Sequence, residues 1–249
     1  METRKRTVKL KNKHGKKQNM YCANGFKTSW FGSKFWTIYH HWSYATENPE
    51  FLRFFYLIPQ HILPCIFCRQ SYAGFVDIPG NEIEPYLCTR TLPEWVHMIH
   101  NYVNAKLEKP LAPYHVCARY RNLKEEEWTP AFWTFVFSIA LNYPAHFNFK
   151  KTRVLDLPPA ELERYKMYIL FYDNLKNLIP ASKLGTQWIK AYTRYPISSY
   201  ACQSRAHLVQ WLHNLASETG EWTENLEDTI RLFEQHRASS CSTATNTCA

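Results

Sequence analysis

The sequence predicts an all-α fold. The chain has 249 residues with only 7 glycines, but 9 tryptophans and 16 tyrosines, and aromatic residues make up 16% of it. Scarce glycine combined with abundant Leu, Ala, Trp and Tyr suits packed helices better than a turn-rich β fold. Aromatic and apolar residues also recur at spacings of three and four, first at Trp36, Tyr39 and His40, as they do on one face of a helix.

Later elements of the first half follow from proline positions and periodicity. After the helix around Trp36, an apolar helix is predicted from Phe51 to Leu63, with Pro49 near its start. Pro64 predicts a break, and a new helix is expected to start at Cys65. The segment from Leu92 to Leu107 has the pattern of a long amphipathic helix.

Basic side chains are concentrated in residues 1–27, which hold nine Lys/Arg and one Glu and so contribute +8 of the formal charge of +9. This segment is predicted to be a flexible tail. It could contact nucleic acid or another anionic surface, or it could simply be a solvated arm. No apolar run reaches the roughly 18 residues of a membrane span, and no apolar secretion signal opens the chain. We therefore expect an intracellular protein that is not secreted.

The second half shows signs of an internal repeat. Three patterns of the first half recur in the same order, at Trp133 for Trp36, at Pro180 for Pro64 and at Trp211 for Trp95. The order favours a degenerate copy of the first half, although coincidence among aromatic-rich helices is the simpler alternative. In that copy Ala181 and Leu184 stand where Cys65 and Cys68 stand in the first. The predicted organisation is a tail (1–27), a first helical domain (28–122), a second (123–237) and a flexible Cys-containing tail (238–249).

The most informative motif is the P-C-x-x-C of Cys65 and Cys68. Such a pair is typical of a redox dithiol, of a metal site or of two reduced core thiols. His97 and His100 form an H-x-x-H, but the spacer from Cys68 to His97 is much longer than the roughly 12–15 residues of a classical zinc finger. A thioredoxin fold would need a βαβ context, which the flanking sequence does not show. A helix start at Cys65 would favour its thiolate.

The flanks of this pair resemble a known family. The pattern is G-x3-W-x3-H, then P-C-x-x-C, then L-x2-W-x4-H-N-x-V-N-x2-L-x-K-P, and it covers roughly residues 28–120. It is similar to that of the Erv/ALR family of FAD-linked sulfhydryl oxidases. The length and the additional C-terminal half resemble the long viral members of that family. The resemblance implies a four-helix bundle with a short fifth helix that binds FAD.

The resemblance also implies roles for individual residues. Cys65 would exchange disulfides with the substrate, and Cys68 would face the flavin. The residues implied in cofactor binding are Gly32, Trp36, His40, Tyr44, His100, Asn101, Val103, Asn104, Lys106 and Lys109. On a helix, residues 100, 103, 104 and 107 share one stripe.

The implied activity is the oxidation of protein dithiols to disulfides. Electrons would pass through Cys65–Cys68 and FAD to dioxygen, which yields hydrogen peroxide. The implied partners are protein dithiol substrates and a second copy of the chain in a homodimer. Two alternatives stay open: a non-catalytic assembly or scaffold protein that keeps the fold, and a zinc-stabilised nucleic-acid adaptor.

The remaining cysteines depart from the family pattern. In the family a cysteine usually follows the helix Trp by two residues and forms a disulfide, but here His97 occupies that place. A Cys88–Cys117 disulfide is a candidate replacement for that bond. Cys241 and Cys248 flank a Ser/Thr-rich stretch and could act as a shuttle dithiol. Disulfide formation inside a reducing cell calls for a dedicated oxidase, so a viral role in host cytoplasm or virion is expected if the source is viral.

Overall fold

The structure, a computed structural model, describes residues 25–45, 48–149, 153–238, 241–242 and 247–248. Helices dominate this part of the chain, which confirms the predicted all-α class. Residues 1–24, which make up most of the predicted basic tail, lie outside the described residues. The same is true of 243–246, the stretch between the two cysteines of the C-terminal tail.

The first half contains six helices. They are α1 (Thr28–Ala45), α2 (Pro49–Leu57), α3 (Pro59–Ile62), α4 (Ile66–Val76), α5 (Leu92–Lys106) and α6 (Tyr114–Cys117). Short 3-10 turns cover Glu84–Tyr86 and Ala118–Asn122.

The second half contains five helices and the one strand pair among the described residues. The helices are α7 (Glu125–Leu141), α8 (Pro159–Leu178), α9 (Lys183–Arg194), α10 (Arg205–Glu218) and α11 (Leu226–Glu234). Two-residue strands β1 (Cys241–Ser242) and β2 (Thr247–Cys248) pair antiparallel, with the backbone of Cys241 opposite that of Cys248.

Local sequence signals account for the helix boundaries around the Cys pair. Asn48 caps α2 through its side-chain oxygen, which accepts hydrogen bonds from two backbone N–H groups, and Pro49 occupies the first turn. Pro59 divides the single helix expected over this region into α2 and α3, because proline lacks a backbone N–H. Pro64 then separates α3 from α4, and Cys65 is the N-cap of α4, as predicted.

The two halves share one continuous hydrophobic core. Helix α1 packs along α7, and the ring centroids of Phe35 and Phe135 are 5.5 Å apart at this contact. Tyr39 meets the same Phe135 edge to face. Because α1 and α7 are largely buried against each other, each half stabilises the other.

Several hydrogen bonds recur at corresponding places in the two halves. Tyr56 Oη donates to the carbonyl of Tyr39, three residues after Trp36, at 2.7 Å. Tyr172 Oη donates to the carbonyl of Val136, three residues after Trp133, at 2.8 Å. These bonds support the predicted repeat, which stays a prediction.

The helix caps shift the alignment between the two halves by one residue relative to the sequence comparison. Cys65 Sγ accepts the N–H of Cys68 at the start of α4, and Ser182 Oγ accepts the N–H of Gly185 at the start of α9. Ser182, rather than Ala181, therefore occupies the capping position that Cys65 holds in the first half.

Two short segments pair beside the Cys motif. The Phe26 N–H donates to the carbonyl of Pro64 at 2.9 Å, and Phe26 forms an antiparallel bridge with Arg237. Residues 25–27 and 236–238 are further joined by the bonds Lys27 N to His236 O and Ala238 N to Gly25 O, each 3.0 Å. We call these paired segments the clasp. It fixes the backbone directly before Cys65.

Candidate functional site

Cys65 and Cys68 are joined by a disulfide at the N-terminus of α4. The backbone N–H of Cys68 points at Cys65 Sγ from 3.2 Å. Backbone N–H groups at a helix N-terminus favour negative charge, so this position stabilises a thiolate on Cys65 once the bond is reduced. The motif thus has the local electrostatics of a reactive dithiol.

The disulfide lies between two clefts of different character. Cys65 borders an open groove of about 540 Å³, whose opposite wall includes His146 and Arg164 of the second half. Cys68 borders a narrow, mostly apolar cleft of about 60 Å³ between α1, α4 and α5. Cys65 is almost fully buried at the edge of the groove, at 1% exposure, and Cys68 is partly exposed.

The narrow cleft, which we call the bundle cleft, collects part of the predicted cofactor set. Gly32, Trp36, Val103 and Lys106 line it together with Cys68. Lys106 donates a short hydrogen bond to Ser71 Oγ, and burial lowers the pKa of its ammonium group. The cleft thus combines apolar walls, one amine and one sulfur of the disulfide.

A histidine pair lies beside this cleft. The His100 ring stacks on Trp36, with centroids 4.1 Å apart and planes within 8°, and His40 Nε2 lies 2.9 Å from His100 Nδ1. Burial, and then the charge of His100, lowers the pKa of His40 to about 3. Burial also lowers the pKa of His100 to about 4, helped by His97. Both rings are therefore neutral near pH 7.

Four residues of the predicted cofactor set lie away from the bundle cleft. Asn101 binds the loop after α5, since its Oδ1 accepts the N–H of Ala112 at 2.9 Å. Asn104 Nδ2 donates to Asn101 Oδ1 at 3.3 Å. Lys109 is exposed, and the Tyr44 ring lies under the guanidinium of Arg121 at 5.5 Å. Their predicted cofactor contacts stay predictions.

Sequence reasoning missed several residues at this site. Thr28, Phe35, Ser71 and Tyr72 line the bundle cleft. Thr28 and Phe35 lie on the same helix face as Gly32 and Trp36, so helical spacing could have identified them. Tyr120 stacks on His40 with centroids 4.8 Å apart, and it reaches there from a 3-10 turn that no periodicity reveals.

The predicted Cys88–Cys117 disulfide is wrong in this structure, where both residues are free thiols. Cys88 is exposed and its Sγ lies 3.1 Å from Thr91 Oγ1, whereas Cys117 is buried after α5. The hydrogen bonds with Thr91 lower the pKa of Cys88, while burial raises that of Cys117. The two thiols therefore face different environments.

The predicted shuttle cysteines belong to β1 and β2, whose side chains the structure does not describe. The backbone of β2, which contains Cys248, lies beside α4. Among the described residues no three His, Cys, Asp or Glu side chains gather as a metal site. His97 Nε2 lies 2.6 Å from the carbonyl oxygen of Ala112. None of its helices has the length and apolar character that crossing a bilayer requires.

Fold and site together describe an all-α protein with a P-C-x-x-C disulfide between an open groove and an aromatic-walled cleft. The chain is similar to a probable FAD-linked sulfhydryl oxidase of Acanthamoeba polyphaga mimivirus. The two are 24% identical over 117 residues, which cover 45% of this chain and 73% of the viral protein. No family model and no solved structure matches the chain.

Proposed function

We propose that this protein is an FAD-dependent sulfhydryl oxidase that forms disulfides in protein substrates and passes the electrons to dioxygen. The observation that carries the proposal is the position of the Cys65–Cys68 bond. Cys65, itself 1% exposed, borders a groove that a polypeptide can enter, and the partly exposed Cys68 borders a cleft walled by the bundle. A dithiol relay needs one sulfur on each side.

The residues of the bundle cleft suit a flavin chemically. Apolar and aromatic walls favour a flat ring system, Lys106 provides a cation, and Cys68 Sγ lies at the wall. His40 Nδ1 is buried with no partner among the described residues, so a polar group of the cofactor could satisfy it. At about 60 Å³ the cleft must widen to admit a flavin, and the stacked rings of Trp36 and His100 are the side chains that could separate.

Gly32, Trp36, Val103 and Lys106 would then hold the cofactor, with His40 and His100 beside them. Bound FAD would supply an acceptor for an electron pair and its transfer to dioxygen. The neutral state of the histidine pair keeps these rings available for stacking and hydrogen bonding, because neither ring carries a charge at neutral pH.

The chain itself performs the thiol exchange. A substrate thiolate attacks Cys65 Sγ, a substrate–Cys65 disulfide forms, the Cys65–Cys68 bond breaks, and Cys68 leaves as a thiolate. A second substrate thiolate then attacks the substrate sulfur of the mixed disulfide and releases Cys65 as a thiolate. The substrate loses two electrons, the pair Cys65/Cys68 gains them, and two thiol protons go to solvent. The N–H of Cys68 lowers the cost of the negative charge on Cys65.

Further parts of the proposal concern partners. Cys241 and Cys248 are proposed as a shuttle dithiol between substrate and Cys65, a role in keeping with β2 lying beside α4. A homodimer, an intracellular or virion location and a nucleic-acid contact of the basic tail stay predictions.

The test combines colour with turnover. Purified protein should be yellow with a flavin absorption band and should consume oxygen when given dithiothreitol. Cys65→Ser should keep the colour and lose turnover, because the substrate then has no disulfide to attack. Cys88→Ser is the control, since this exposed thiol lies outside both clefts, and its turnover should match the unsubstituted protein. A yellow protein that is inert towards dithiols would instead favour the non-catalytic scaffold, and a colourless protein would refute the proposal.

A further inference from the structure

The groove above Cys65 is built by both halves of the chain. Cys65 and Arg69 form its wall on the α4 side, and His146, Glu161 and Arg164 belong to the opposite wall. A neighbouring depression of about 420 Å³ shares Arg69, Glu161 and Arg164 with it. The two are therefore continuous, and they form an elongated channel between α4 and α8 that we call the inter-half groove. A long open channel suits an extended chain better than a compact small molecule.

Two guanidinium groups are anchored to the backbone just before the Cys motif. Arg69 Nη1 donates to the carbonyl of Leu63 at 2.5 Å, and Arg164 Nε donates to the carbonyl of His61 at 3.3 Å. Because both carbonyls belong to the residues that lead into Cys65, the two positive charges keep a fixed relation to the disulfide.

Glu161, the one carboxylate among the described residues that line the groove, already has a partner. Glu161 Oε2 lies 3.0 Å from His146 Nε2 on the same wall of the groove. Among the described residues that line the groove, the two guanidinium groups of Arg69 and Arg164 thus outnumber the one carboxylate. A thiolate substrate is itself anionic, and guanidinium groups also bind carboxylates with directional hydrogen bonds.

We propose that the inter-half groove binds an extended segment of a protein substrate that carries an acidic residue beside its reacting cysteine, and that Arg164 and Arg69 determine this specificity. The inference rests on the proposed oxidase function. It assigns the second half of the chain a role in substrate choice, since Arg164 comes from α8. The segment between Cys241 and Cys248 has no charged residue, so the charge of the groove does not match the chain's own tail.

The experiment uses the full-length, flavin-loaded protein and two matched peptides. Each peptide carries a reduced Cys-x-x-Cys pair, and they differ only in the flanking residues, Glu in one and Lys in the other. Oxygen consumption at low salt should be at least about fivefold faster with the Glu peptide, and high salt should shrink this preference. Arg164→Gln should reduce the preference to less than about twofold, and Arg164→Glu should reverse it.

Controls separate this inference from the oxidase proposal itself. Arg231→Gln changes an exposed arginine of α11 that pairs with Glu227 and Asp228, and it should keep the preference of the unsubstituted protein. Dithiothreitol oxidation by the unsubstituted protein tests the oxidase function alone. If dithiothreitol is oxidised but the Glu peptide is not preferred, or if the Arg164 variants keep the preference, the inference is overturned. It is also overturned if replacing Cys241 and Cys248 with Ser, rather than changing Arg164, abolishes the preference. Arg164→Gln remains informative if Arg164→Glu fails to fold.

Discussion

The buried histidine pair should make the stability of the protein depend on pH in a way that His40 controls. Burial holds the pKa of His40 near 3 in the folded protein, against 6.5 in an unfolded chain. Unfolding therefore takes up a proton between these two pH values. The stability from His40 is complete above pH 6.5, falls as the pH decreases, and is fully lost near pH 3.

The size of the effect follows from the two values. Each pH unit below 6.5 favours the unfolded state by about 1.4 kcal/mol for a histidine that stays neutral when folded. At pH 5 His40 alone should thus lower the free energy of unfolding by about 2 kcal/mol relative to pH 7.5. His100 acts in the same direction, because burial also lowers its pKa. No described residue accepts a hydrogen bond from His40 Nδ1, so a proton added there would have no partner in the folded protein.

Urea denaturation at pH 7.5 and pH 5 measures this loss directly. His40→Gln removes the titrating ring, so the difference between the two pH values should shrink by about 2 kcal/mol. His115→Gln is the control, since His115 is exposed and lies outside the site, and its pH dependence should equal that of the unsubstituted protein. An unchanged pH dependence in His40→Gln would show that His40 is not held neutral, and the reasoning would be wrong.

Three further predictions concern packing and thiols. Trp188 is fully buried in the second half. Trp188→Ala should therefore lower the free energy of unfolding, measured by urea denaturation, by about 3–5 kcal/mol. A loss below about 1 kcal/mol would contradict the packing role of Trp188. Tyr56→Phe and Tyr172→Phe should each lower the free energy of unfolding by about 1 kcal/mol in the same assay, because each removes one buried hydrogen bond at a corresponding place. A loss of stability in only one of the two variants would speak against the repeat. A thiol reagent followed by mass spectrometry should label Cys88 and spare Cys202 in the folded protein, since burial raises the pKa of Cys202 to about 12; equal labelling of both would refute this.

Features that depend on short stretches of sequence were predicted well. Pro64 stops one helix and Cys65 caps the next, because both effects act within a few residues. The long helix ends at Lys106, one residue before the predicted end. On that helix Val103 faces the bundle cleft. Asn101 precedes it by two residues, which is a rotation of about 200° around the helix axis. Asn101 therefore points to the other side of the helix, where it binds the following loop.

Features that depend on distant contacts could not be predicted. The prediction of a disulfide between Cys88 and Cys117 was wrong, because the spacing of two cysteines in the sequence does not tell whether their thiols face each other. The inter-half groove exists only because α8 packs beside the helices that lead into Cys65, and a repeat in the sequence does not state how its copies meet. Arg164 therefore had no sequence signal linking it to Cys65.

The clasp has a consequence for how this chain can be divided. Phe26 is fully buried, with Phe233 edge-on at 6.2 Å and the Arg237 guanidinium 4.2 Å above its ring. A fragment that stops after the first half would lose these partners and expose to water the Phe26 side chain, whose backbone N–H donates to the Pro64 carbonyl. The cysteine pair is thereby mechanically linked to residues that are synthesised about 170 positions later. A growing chain can complete the packing around Phe26, next to the Cys motif, only after α11 has been synthesised.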